Sequence, residues 1–149
     1  MRTTILLVLA GTLSVVASAA RADSYEDGDD VGVPRPHGPF VATRVSAVRN
    51  GLWTDEISGD ETPQSCKAFV LRGADVREYF RKARRASRIE YVHDLDMSRC
   101  HATGRVRLSN GERGDWSIDR ERRGRLVLSD GHNYYFFCES CAAKAFSAP

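Results

Sequence analysis

The sequence predicts an α+β fold: an antiparallel β-meander of about four to six strands, with one amphipathic helix packed on one face and disulfides bracing the whole. Three observations predict it. The carboxyl-terminal half repeats short β-prone segments separated by polar turn clusters, one segment carries apolar residues at helical spacing, and four cysteines follow an export-like start.

The start is the first element to justify. Arg2 supplies a positive charge, Ile5 to Val16 an apolar core, and small residues follow, which is the pattern of a signal peptide over residues 1–22. Cleavage is expected between Ala20 and Asp23, and no cysteine there invites lipidation. The apolar run is too short for a spanning helix and nothing later replaces it, so a periplasmic or secreted protein with no membrane span is expected.

The formal charge of +2 provides no global field for nucleic acid, but the charges are segregated. From Asp23 to Asp30, "DSYEDGDD" holds five acids and no base, and it continues into the Pro- and Gly-rich "VGVPRPHGP". Residues 23–39 read as a disordered leader, a solvated spacer or a segment that folds back over the basic helix. A single domain is expected over residues 40–149.

Within that domain, "FVATRVSAV" from Phe40 is a first strand, and Asn50-Gly51 marks a turn before Leu52 and Trp53. Thr54 to Gln64 reads as a loop and "CKAFVL", Cys66 to Leu71, as a second strand. A helix is expected from Ala74 to Ala86, because Val76, Tyr79, Phe80 and Ala83 share one face. Its acids lie early and its bases late, as the helix dipole favours. Arg77, Arg81, Arg84 and Arg85 make its outer face a candidate binding surface.

A short strand is expected at Ile89 to Val92, and then the meander: Thr103–Leu108, Gly114–Asp119, Arg125–Leu128 and Tyr134–Cys138. Parity decides between loops in the first hairpin. A two-residue Asn110-Gly111 loop would set apolar against polar faces, whereas a three-residue loop, Asn110 to Glu112, pairs Val106 with Trp116 and Arg107 with Asp115. Val106, Leu108, Trp116 and Ile118 then point inward.

Cys66, Cys100, Cys138 and Cys141 are expected to form two disulfides. Long-range bridges from Cys66 and Cys100 to the Cys138/Cys141 corner are favoured, with Cys66–Cys100 and a local Cys138–Cys141 bond as the other arrangement. The Cys-x-x-Cys after a strand also copies the local order of a thiol-disulfide site, but only Ala142 to Pro149 remain to build the helix such chemistry needs. Ala142 in place of His rejects covalent haem. Zinc on Cys138, Cys141 and Cys100 or His101 is a weak pattern, so no cofactor is expected. His93, Asp94, Asp96 and His101 match no helical metal motif, and no nucleophile elbow or phosphate loop occurs.

Val76, Tyr79, Phe80, Ser98, Cys100, Gly104, Trp116, Ile118, Tyr134 and Cys138 carry a resemblance. The chain from Cys66 to Cys141 resembles small exported bacterial proteins of unknown function. They share a Val-x-x-Tyr-Phe helix, a Ser-x-Cys-x-x-x-Gly strand, a Trp-Ser-Ile strand and a closing Tyr-x-x-x-Cys. The resemblance implies a bacterial periplasm and no activity. Taken together, the residues point to a monomeric, non-enzymatic protein-binding domain of the cell envelope, of inhibitor or immunity type. The other readings are a thiol-disulfide accessory at Cys138/Cys141, or an electrostatic binder of anionic envelope polymer.

Overall fold

The computed structural model describes residues 40–147, so the signal segment 1–22 and the leader 23–39 lie outside the described residues. The protein is mostly β. The strands are β1 (Ala42–Trp53), β2 (Arg84–Ala86), β3 (Cys100–Leu108), β4 (Arg113–Asp119), β5 (Arg123–Leu128) and β6 (Asn133–Phe137). They form one antiparallel sheet in the order β1-β3-β4-β5-β6-β2. Helices contribute little: α1 (Pro63–Cys66), α2 (Gly73–Lys82), a π-helical turn at Glu90–Asp94 and a 3₁₀ turn at Lys144–Ser147. The helical half of the expected α+β fold is thus one ten-residue helix, α2, and three short turns.

The four meander strands form where the alternation placed them, with apolar residues on one face and polar residues on the other. Val106, Leu108, Trp116, Ile118, Leu126, Leu128, Tyr134 and Phe136 are buried on the inner face, where α2 lies. Both outer hairpins use the same three-residue loop. In Ser109–Gly111 and Ser129–Gly131 the strand-end leucine receives a hydrogen bond from the glycine and donates one across the loop. Gly111 and Gly131 sit at φ 90 and 93, the left-handed conformation that glycine adopts without strain.

The expected three-residue loop is therefore present but one residue earlier, which slides the register by two and keeps every residue on its expected face. Trp116 faces Gly104 rather than Val106, and Arg105 rather than Arg107 faces Asp115. The indole fixes this choice: a Cβ on Gly104 would lie 2.7 Å from Trp116 Cζ2. Only glycine leaves room for the ring.

Four other expectations are corrected. Asn50-Gly51 is no turn but an irregularity inside β1, which continues to Trp53 with Gly51 at φ 63. Cys66 to Leu71 is no strand: Thr62 caps the short α1, and the chain then runs past β1 held by the Asn50 side chain, which bonds both Leu71 N and Leu71 O at 2.9 and 3.1 Å. The helix ends at Lys82 instead of Ala86, because Arg84–Ala86 takes the open edge of β6 as β2. Ile89 to Val92 joins a helical segment, whose π-helical turn crosses the outer face.

Substituting Gly104→Ala should lower stability to urea by about 1–3 kcal/mol, the usual effect of overpacking, whereas Gly111→Ala, with open space around it, should cost only about 1 kcal/mol for its positive φ. Paired denaturation curves check this.

Candidate functional site

Cysteine chemistry is the first candidate. The bridges are Cys66–Cys100 and Cys138–Cys141, so the favoured long-range connection to the carboxyl-terminal corner is corrected. The reason lies in placement: α1 delivers Cys66 beside Cys100 at the start of β3, with Cα atoms 4.9 Å apart. Ser98 reinforces this corner by accepting from Cys100 N–H at 3.0 Å and donating to Glu61, whose carboxylate also receives Arg99 N–H and pairs with Arg120. The Cys138–Cys141 bond instead turns the chain after β6, and Phe146 in the tail packs near Phe69 and Tyr79. Cys138 and Cys141 are 0% and 4% exposed, so the folded chain gives an attacking thiolate little access to this bond.

The expected basic helix face is divided by the end of α2. Arg77 and Arg81 are exposed on the helix, where Glu78 offsets Lys82 in an ion pair of 2.5 Å. Arg84 lies on β2, paired with Glu90 and resting over the Phe137 ring. Arg85 points the other way, over Tyr134 and Phe40. The four arginines therefore form no common surface.

A different arginine surface emerges from strand register. Arg44 on β1 faces Arg107 on β3, and Arg107 faces Arg113 on β4. This row of three lies exposed on the outer face, away from α2, and among the described residues none of the three makes an ion pair. Arg49, Arg105 and Arg125 lie exposed on the same face, and among the described residues only Arg105 has a carboxylate partner there, Asp115 at 3.5 Å. Between them stand small hydroxyl residues, Ser46, Thr103 and Ser117. Like charges directly opposite on neighbouring strands are destabilising, so the row opposes folding.

Sequence reasoning missed this surface. Its residues are scattered over three strands, and the only available signal was their shared odd or even parity, which becomes a row only once β1 is known to pair with β3.

The other end of the outer face is closed. Tyr91 of the π-helical turn packs at a tilt against Tyr135, with ring centroids 4.7 Å apart, and Arg123 lies over the Tyr91 ring and donates to the Tyr91 carbonyl at 2.7 Å. Arg123 also pairs with Asp119 at 2.8 Å. Burial pushes the Asp119 carboxyl up to about 6 against the opposing pull of Arg123. Among the described residues no three His, Cys, Asp or Glu side chains converge as a metal-ligand group, and no helix is long and apolar enough to cross a membrane. No known protein family, curated protein or solved structure matches the chain.

Two measurements check this description. Replacing Cys66 and Cys100 by Ser should cost about 4 kcal/mol for the long closed loop, and replacing Cys138 and Cys141 roughly half as much, in equilibrium denaturation. For Asp119, the folded state holds a proton that the unfolded chain, at its ordinary value near 3.8, has already released, so stability contributed by this group falls as pH rises from about 4 to about 6 and is level above. The stability difference between the native protein and Asp119→Asn should follow that course, and urea denaturation at fixed ionic strength reads it.

Proposed function

We propose that the protein is an exported, non-enzymatic binding module of the bacterial cell envelope, a monomer that holds a polyanion on the outer face of its sheet. The observation that carries this reading is the cross-strand row Arg44–Arg107–Arg113, a cost to folding with no ion-paired carboxylate among the described residues to offset it. Guanidinium groups offer paired donors that suit phosphate and sulfate oxygens. Phosphate- or sulfate-bearing linear polymer is thus the ligand class.

The electrostatic alternative expected on the helix is relocated to the sheet. A protein interface commonly has an apolar centre with a polar rim, whereas the strands beside this row continue in the small hydroxyl residues Ser46, Thr103 and Ser117. A protein partner is the second reading, favoured by Ile89, Val92 and Met97, which are 59%, 41% and 46% exposed on the segment between β2 and β3. Both sheet edges support a monomeric state: β1 is interrupted by irregularities and β2 has only three residues.

Inorganic polyphosphate, heparin and polyglutamate serve as probes for phosphate, sulfate and carboxylate recognition. The triple change Arg44→Gln, Arg107→Gln, Arg113→Gln should weaken polyphosphate binding about a hundredfold at low salt, at about 1 kcal/mol per lost charge. The same variant should be more stable by a few tenths of a kcal/mol per relieved pair, roughly 0.5 kcal/mol in all. Calorimetric titration over a salt series and urea denaturation read the two effects. Unchanged affinity in the triple variant, with variants of Ile89 and Met97 abolishing capture of an envelope protein, would favour the second reading.

A further inference from the structure

Further along the same strands, the register brings a second set of side chains together on the outer face. Arg49 on β1 faces Thr103 on β3, Thr103 faces Ser117 on β4, and Ser117 faces Arg125 on β5. A bulge puts Arg49 there. Between Ser46, opposite Arg105, and Arg49, opposite Thr103, β1 has one residue more than β3. Ala47 in this bulge takes φ 51, a left-handed conformation strained for a residue other than glycine. Strict alternation from Ser46 would turn Val48 outward and Arg49 inward. The bulge reverses them, so Val48 packs against the core and Arg49 is exposed.

We propose that Arg49, Thr103, Ser117 and Arg125 form a second anion subsite, and that the outer face selects a linear glycan whose phosphate groups lie about 13 Å apart with uncharged sugar between them. The proposal rests on the reading of the outer face as a polyanion site. Thr103 and Ser117 are half-buried, and among the described residues neither hydroxyl has a hydrogen-bond partner. The two arginines flank them across three strand spacings, about 14 Å, which long side chains can close from either side. Arg125 is already positioned: its Nε donates to Asn133 Oδ1 at 2.9 Å, and Asn133 donates to the Tyr135 hydroxyl at 2.8 Å. Two hydroxyl donors between two guanidinium groups suit a phosphate.

The spacing follows from the strands. Arg107 and Thr103 lie four positions apart on β3, and Arg113 and Ser117 four apart on β4, so the subsite stands about 13 Å from the first row. What lies between is neutral. Arg105 pairs with Asp115 at 3.5 Å, and Ser46 faces Arg105 from β1. A polymer with charge at every unit would set an anion against Asp115, whereas an uncharged, hydroxyl-bearing stretch meets no such repulsion. One ligand that reaches both subsites gains by effective concentration, most when its length matches the span.

The test titrates the full chain with oligoethylene-glycol bisphosphates whose spacers are half, equal to and one and a half times that span. The matched compound should bind about tenfold more tightly than the short one. Arg49→Gln with Arg125→Gln should erase this preference, whereas Arg77→Gln with Arg81→Gln, which removes two exposed charges from α2, should leave it intact. Asp115→Asn should tighten polyphosphate severalfold and leave the matched bisphosphate unchanged. Equal binding of all three spacers, with the Arg49/Arg125 variant no weaker than the Arg77/Arg81 variant, overturns the second subsite. The polyanion reading then still stands if polyphosphate binding falls in the Arg44/Arg107/Arg113 variant. Polyphosphate that does not tighten on Asp115→Asn overturns the selection for an uncharged middle. If neither the bisphosphates nor polyphosphate, heparin or polyglutamate bind, the polyanion reading fails and the second subsite fails with it.

Discussion

The structure depends on one close approach, the ring of Tyr79 lying on the bare backbone of Gly124. A Cβ on Gly124 would come within 2.5 Å of the Tyr79 hydroxyl, so any other residue would push α2 off the sheet. The hydroxyl donates to the Arg122 carbonyl at 3.0 Å, which satisfies its polar end inside an otherwise apolar layer. Docked there, α2 also lays Phe80 edge-on against Phe136. The chain leaving α2 is then close enough to β6 to add β2 to the sheet, and backbone pairing at that edge outweighs the local preference for more helix.

Ten residues that stand out in the sequence motifs describe this scaffold. All ten are buried, from Val76, Tyr79 and Phe80 on the helix to Gly104 beneath the indole of Trp116 and Ser98 beside the Cys66–Cys100 bridge. A pattern made of buried residues specifies how the sheet is packed and says nothing of what its free face meets. The arginine face is built from none of them. The packed core and the exposed arginines thus lie on opposite sides of the same strands, as a period of two allows.

The outer face is itself divided between stability and exposure. Over one half the segment between β2 and β3 covers an ion pair, Asp119 with Arg123, and an aromatic pair, Tyr91 with Tyr135. Over the other half three arginines face one another, and among the described residues none of them makes an ion pair. Bases are therefore not simply distributed for solubility. Those under the cover have carboxylate or aromatic partners, whereas among the described residues only Arg105 of those left open meets a carboxylate, Asp115.

Alternation of apolar and polar residues determined four strands, their inner faces and the three-residue character of the first hairpin. Helical spacing likewise determined α2, because its periods are local and repeat within a few residues. The sequence could not determine where that helix stopped, which cysteines joined, or that the first hairpin began at Ser109. Each of those outcomes was decided by a distant partner: the β6 edge for Arg84–Ala86, α1 for the Cys66–Cys100 bridge, and the Trp116 indole for Gly104. The arginine row belongs with them, since charges separated by more than sixty residues become neighbours only when β1 pairs with β3.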